Sequence, residues 1–451
     1  MLENITPQII TKSVPGPRSS EQLERRFEIL PKALHGDLYP IVIEKGYGAM
    51  VWDLDGNRFI DWIGGIGVLN LGYSNEEVVE AVKEQSEKYF HAPFSIVSHK
   101  GILDLAEKFN EIMPCRGEKI KTYFTNSGTE ANENAIKVAK SYTKRNGIIC
   151  FTGAFHGRTN LMMELTANKK YSKGMGPFPA GIYRADFPDI YHAPFGLSED
   201  DAIDYYIEQL NKIFKTGINA NEVAAVIVEP LQGEGGFIPA PIKWVKKLRK
   251  ICDDNGILII CDEVQSGNCR TGRYFAAEYW KEAGVPADVI TTAKSMGSGL
   301  PISAISASSE IMDSVVPGTI GGTYNGNPMS CAAALKTVEI MLRDDYAKRS
   351  REIGEIVMDR YLKMKDRYSV IGDVRGLGAM IGMEFVLDKD SKEANPEFVN
   401  KLIKLALQRG LLIESAGINS NVIRFLAPLV ITNEQLITSL DIYEKCIKDL
   451  L

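Results

Sequence analysis

From about residue 120 onward, apolar residues gather into short runs separated by longer amphipathic stretches. The runs at 121–124, 147–151, 224–228 and 257–261 are too short for helices. Apart from Lys121 and Thr122 they are without polar positions, which predicts strands covered on both faces of a sheet. Between them, 131–142, 200–214 and 242–253 carry the helical period. Strand and helix in alternation predict an α/β unit built on a mostly parallel sheet covered on both sides. A ligand is then expected beyond the carboxyl ends of the strands.

The flanking regions read differently. Residues 1 to about 40 are rich in proline, serine and charge and predict an arm with a short helix around 21–24. Residues 47–62 alternate about Asp55-Gly56-Asn57, the signature of a hairpin. Helical spacing resumes at 78–82 and 103–109. Past a long helix at 328–341, the chain shows helices at 348–364, 398–409 and 432–448 and one strand at 379–385. The expected division is an arm and hairpin over 1–60 that belong to a small domain, a large domain over 61–330, and the α+β remainder of the small domain over 331–451. A cleft between the two units would allow closure over a substrate.

With 451 residues and 45% hydrophobic composition, the chain can bury a large core, so disorder is set aside. Its 52 basic against 58 acidic residues give a formal charge of −6, which points to no polyanion and hence no nucleic-acid partner. Seven cysteines form no CxxC pair and read as buried thiols of a reducing compartment, and no metal site is expected. No basic-then-apolar leader and no eighteen-residue uncharged apolar run occur. The expectation is a cytoplasmic protein without a membrane partner.

Candidate chemistry starts from Asp262, which closes the run Ile257-Leu258-Ile259-Ile260-Cys261, and Lys294, in Ala293-Lys294-Ser295-Met296-Gly297. An acid at a strand end and an amine in a small-residue loop are the two groups needed to hold a pyridine-aldehyde cofactor such as pyridoxal 5′-phosphate. The carboxylate would keep the ring nitrogen protonated. The lysine would hold the aldehyde as an imine and later act as base and acid. Thr125-Asn126-Ser127-Gly128-Thr129-Glu130 follows a strand and opens a helix, so Gly128, Thr129 and the first helical amides offer a phosphate anchor. The same residues also read as a capping box from Ser127 to Glu130, and both readings can hold. Phe155 reads as a stacking partner for one face of a planar ring with Val264 on the other, or as plain core. Lys294 alone would read as a surface lysine.

These segments resemble the class III aminotransferases, fold type I enzymes dependent on pyridoxal phosphate, and among them the 4-aminobutyrate aminotransferases. The resemblance rests on Asn126-Ser127-Gly128-Thr129-Glu130-Ala131-Asn132, Phe155-His156-Gly157-Arg158-Thr159, Glu229-Pro230-Leu231-Gln232-Gly233-Glu234-Gly235-Gly236, Asp262-Glu263-Val264-Gln265-Ser266-Gly267, Ala293-Lys294-Ser295 and Gly322-Thr323-Tyr324-Asn325-Gly326-Asn327-Pro328. They occur in the family's order, and the resemblance covers about residues 40–448. Two departures stand out: Cys269-Arg270-Thr271-Gly272 and Asn325-Gly326-Asn327-Pro328 have cysteine and asparagine where the family usually has glycine.

The resemblance implies that Gly128 and Thr129 bind phosphate, Phe155 and Val264 enclose the ring, and His156 belongs to the cofactor site. It further implies that Asp262 pairs with the pyridine nitrogen, Gln265 meets the phenolic oxygen, and Lys294 is the Schiff-base residue. Thr323 would reach the phosphate held by a neighbouring subunit, implying a homodimer with shared sites, alone or within a tetramer. For the substrate, Arg158 would hold a distal carboxylate, with a structural ion pair as the other reading. Arg424 interrupts an apolar run and needs a partner if buried. By resemblance it pairs with Glu234 and is freed to grip an α-carboxylate, against a permanently closed pair. Ile66 would form an apolar wall. The expected reaction moves an amino group from 4-aminobutyrate, or from 5-aminovalerate, ornithine or lysine, to the keto acid 2-oxoglutarate, giving a semialdehyde and glutamate. An amino-acid racemase or epimerase needs the same lysine and the same electron sink. A catalytically silent binding protein on this fold would be expected to lack Lys294 or Asp262.

Overall fold

The computed structural model describes residues 5–34, 39–194 and 196–451; residues 1–4 and 35–38 of the expected arm lie outside the described residues. Seven strands form the central sheet: β1 (Ile120–Thr125), β2 (Gly147–Phe151), β3 (Ile182–Ala185), β4 (Val223–Val228), β5 (Leu258–Asp262), β6 (Val289–Thr292) and β7 (Ser303–Ser308). Their order is β1-β7-β6-β5-β4-β2-β3. The pairs from β6 through β3 are parallel. β7 alone runs against its neighbours, antiparallel to both β6 and β1. The fold is therefore α/β with a mostly parallel sheet.

Continuous apolar runs were the signal because each strand feeds two cores. On one face Ile148, Cys150, Ile227, Ile260 and Ile305 pack in one buried cluster. On the other, Ile149, Phe151, Val226, Ile259 and Cys261 join a second. The helix α1 (Gly128–Thr143) covers the first face through Ala131, Ala135, Ile136, Val138 and Ala139. Its alanines keep that stripe shallow, and Lys144 ends it in the left-handed conformation at φ 58°. The helix Ile242–Asn255 covers the second face with Trp244, Val245 and Leu248. All seven cysteines are buried and unpaired, and burial pushes every thiol up from its ordinary pKa.

The expected hairpin forms between Met50–Asp53 and Arg58–Asp61. Asp53 shapes its turn by accepting from the amides of Asp55 and Asn57 at 3.0 and 2.8 Å, and Gly56 supplies φ 85°. Leu411–Leu412 adds to this hairpin in parallel, so chain ends about 350 positions apart share one sheet. A separate antiparallel sheet runs Ile371–Leu377, Met380–Phe385, Val422–Phe425, Glu414–Ala416. The helix Tyr346–Arg367 lies on it so closely that a Cβ on Gly354 would sit 2.2 Å from the carbonyl oxygen of Gly378. No helix among the described residues is long and apolar enough to cross a membrane.

Candidate active site

A cavity of about 1640 Å³ opens at the carboxyl ends of β1, β2, β5 and β6 and is closed on the far side by residues 414–424. Of the sequence candidates, Ile66, Gly128, Thr129, Phe155, His156, Arg158, Glu234, Asp262, Val264, Gln265, Lys294 and Arg424 all line it. Thr323 does not: it is exposed on the loop before the helix Pro328–Arg343.

Asp262 ends β5 and is 3% exposed. Its Oδ2 accepts from Asn132 Nδ2 at 2.8 Å and lies 2.7 Å from His156 Nδ1, while Oδ1 accepts from the Val264 amide at 3.0 Å. Asn132 is in turn held by the Thr291 hydroxyl at 2.8 Å. One carboxylate is thereby fixed by a helix, a loop and a neighbouring strand.

α1 begins at the cavity wall. Ser127 caps it through a long 3.4 Å contact to the Glu130 amide, and Glu130 Oε2 accepts from the amide of Asn126 at 2.8 Å, one residue before the expected capping-box position. The amides of Gly128 and Thr129, in the first helical turn, have no partner within the helix. Gly128 is required by packing as well, because a Cβ there would lie 2.8 Å from Val264 Cγ1.

Lys294 follows β6, half-buried, with φ 49°. Burial lowers its pKa to about 8; Glu234 opposes the shift and Arg424 adds to it. Glu229, fully buried, is pushed up to about 7 by desolvation, and its oxygens accept from the amides of Phe155 and Gly233 at 2.9 and 3.0 Å. It ties together the two loops that carry Phe155 and Glu234.

Arg158 lies with its guanidinium carbon 4.7 Å from the Tyr171 ring centre and 5.6 Å from that of Phe155. Tyr171 also donates to Glu234 Oε2 at 3.2 Å. Glu234 Oε1 accepts from Arg424 Nη1 at 2.6 Å. A second acid, Glu414, places Oε2 2.9 Å from Arg424 Nη2. Ile66 sits on the rim at φ 63° and ψ 47°, a left-handed conformation that β-branched residues rarely hold.

The residues present fit pyridoxal 5′-phosphate. Open amides at the α1 start suit its phosphate, the Asp262 carboxylate suits its ring nitrogen, and the Lys294 amine suits its aldehyde. Gln265 Oε1 is buried without a hydrogen-bond partner, an orphan that a polar group in the cavity would satisfy. Among the described residues no cluster of acids, histidines and cysteines could hold a metal ion.

Sequence reasoning missed Asn132, Tyr171, Glu229 and Glu414. Asn132 and Glu229 stood inside motifs already singled out, without a role. Glu414 carried a usable signal, since it follows Leu411-Leu412-Ile413 and, like Arg424, sets a charge at an apolar strand.

The aminotransferase class-III family matches residues 33–447. A probable 4-aminobutyrate aminotransferase of Bacillus subtilis is 44% identical over 401 residues, 89% of this chain and 91% of that protein. A 5-aminovalerate aminotransferase of Pseudomonas aeruginosa is 41% identical, covering 95% and 98%. A leucine/methionine racemase of Thermococcus litoralis is 38% identical, covering 96% of each. Among solved structures, an (S)-enantioselective omega-transaminase from Thermomicrobium roseum superposes with a TM-score of 0.87 at 28% identity, over 96% of this chain and 98% of that one. The chain belongs to the class III aminotransferases and is an aminotransferase dependent on pyridoxal 5′-phosphate.

Proposed function

We propose that the protein is an ω-aminotransferase that moves the amino group of 4-aminobutyrate, or a close homologue such as 5-aminovalerate, to 2-oxoglutarate. The observation that carries this reading is the ion pair of Arg424 and Glu234 inside the cavity that also holds Lys294 and Arg158. A transaminase has to accept two substrates of different charge in one place. With the pair closed, Glu234 neutralises Arg424 and an ω-amine can enter; with the pair open, Arg424 offers a fork for an α-carboxylate. Arg158 is the group for the distal carboxylate common to both.

When bound, the cofactor supplies an aldehyde that takes up and returns the amino group and a ring that draws electrons from the reacting carbon. The chain's residues do the rest. Gly128 and Thr129 hold phosphate at the α1 start, with Thr323 of a second subunit reaching the same group in a homodimer. That assembly is supported by the exposed apolar side chains of Phe90 and Tyr324 on the surface that carries Thr323, where Asn327 donates to the Phe90 carbonyl and the His91 ring lies 5.4 Å from the Tyr324 ring. Asp262 holds the proton on the ring nitrogen, and Asn132 and His156 hold Asp262. Phe155 and Val264 enclose the ring, and Gln265 faces its phenolic oxygen. Lys294, neutral above about pH 8, would take the proton from the substrate carbon and deliver it to the carbon on the other side of the amino nitrogen.

Likeness to the racemase supports a second reading in which Lys294's site returns the proton to the same carbon. A panel of 4-aminobutyrate, 5-aminovalerate, ornithine and lysine with 2-oxoglutarate separates the two. Glutamate formation from an ω-amine is the expected result. No glutamate from any donor, together with inversion of L-leucine or L-methionine in the absence of keto acid, would overturn it.

A further inference from the structure

We infer that Glu414 determines how tightly Arg424 receives a substrate carboxylate, because it occupies the second arm of the guanidinium and has to be displaced along with Glu234. The inference rests on the reading of Arg424 as the α-carboxylate site. Its geometry is built into a sheet rather than a loop: Glu414 lies directly opposite Arg424 in the antiparallel pairing of Glu414–Ala416 with Val422–Phe425. Cross-strand neighbours in such a pair have their side chains on one face. Glu414 Oε2 is 2.9 Å from Arg424 Nη2 while Glu234 Oε1 is 2.6 Å from Nη1, so both terminal nitrogens carry an acid.

The two acids are not equivalent. Glu234 makes an aligned hydrogen bond to Arg424 and has a second donor in the Tyr171 hydroxyl, to which it can turn when Arg424 leaves. Glu414 Oε2 is buried and, despite its closeness, is not aligned for a hydrogen bond. It has no other side-chain donor among the described residues. Its contribution is charge. Two carboxylates against one guanidinium leave a negative surplus at the mouth of the carboxylate site, next to Lys294. Burial holds the Glu414 carboxyl above the ordinary range; Arg424 pulls it back down and Glu234 adds to the rise. A dicarboxylate arriving at Arg424 meets this surplus, whereas an ω-amine bearing its only carboxylate at Arg158 does not. Glu414 therefore tilts the cavity toward the amine donor and weakens the acceptor.

The probe is glutarate, a five-carbon diacid with no keto group to react, titrated into the holoenzyme by calorimetry. Glu414→Gln and Glu414→Leu are each expected to tighten glutarate at least fivefold and to lower the KM for 2-oxoglutarate without a matching fall in kcat. Structural damage would weaken binding, so tightening is the diagnostic direction. Unchanged or weaker glutarate binding in both variants would make Glu414 a strut and overturn the inference. Arg424→Gln separates this from the underlying reading. If it abolishes glutarate binding while the Glu414 variants do not tighten it, only the role of Glu414 fails. If it leaves binding unchanged, Arg424 is not the carboxylate site and both fall.

Discussion

Asn132 shows how much of a site rests on a residue whose work is to hold its neighbours. Its amide nitrogen donates to Asp262 and its oxygen accepts from Thr291, all three buried. Replacing it by leucine strips Asp262 of one donor and strands the Thr291 hydroxyl. Leaving such groups unpaired costs about 1–3 kcal/mol each. Asn132→Leu is expected to lower unfolding free energy by about 2 kcal/mol in denaturant titration and to speed cofactor loss. Lys294 gives a prediction in pH. With its pKa lowered from 10.5 to about 8, the amine is charged below that value and neutral above it. Cofactor uptake by the apoprotein should therefore rise with pH and level off above about 9; a midpoint near 10.5 would show that the cavity does not depress the lysine. Cys269 is a residue-scale finding of another kind. It holds φ 69° at a position where the family resemblance has glycine, so the departure retains a glycine-like backbone.

At the scale of elements, legibility followed burial pattern. The strands at 147–151, 224–228 and 257–261 were readable because both faces are buried and every position is apolar. β7 was not, because Ser303, Ala304, Ser306, Ala307 and Ser308 look like a loop until β1 and β6 flank them. Asp262 and Lys294 were legible since a strand end and a small-residue loop are local signals. The pairing of Glu414 with Arg424 was not, since it depends on the register of two strands joined by a turn. Two glycines test element packing. At Gly128 a methyl would press on Val264, and Gly128→Ala should weaken cofactor binding about tenfold, the equivalent of about 1.4 kcal/mol of overpacking. At Gly354 the obstacle is a backbone carbonyl that cannot turn aside. Although alanine is the better helix former by about 1 kcal/mol, Gly354→Ala is expected to lower the melting temperature by several degrees in scanning calorimetry.

Across the whole molecule, charged side chains tie the large sheet's surroundings to the C-terminal sheet. Arg270, fully buried, donates to the carbonyls of Ala379 and Ala427 and to Asn70, which also reaches Ser295 beside Lys294. Burial without a carboxylate partner pulls its pKa down to about 9. His192 bridges Asp189 at 2.8 Å and Glu384 at 3.0 Å. Those two acids raise it from 6.5 to about 9. Because the folded value lies above the unfolded one, the stabilisation is complete below about pH 6.5 and is lost as pH climbs through 9. Its side chain is 39% exposed, so solvent screening keeps the effect small. The melting temperature should fall by about 1–2 °C from this bridge between pH 7 and 9.5. His192→Gln should remove that part of the slope; an unchanged slope would show that the bridge is idle.

The sealed thiols have a practical corollary. Since each of the seven sulfurs lies inside the protein with its ionisation suppressed, Ellman's reagent should report none in the native enzyme and seven once guanidinium is added. The chain thus carries its own unfolding indicator. A single cysteine introduced on an outward helical position, such as Glu355→Cys, would accept a fluorophore without any native sulfur having to be mutated away.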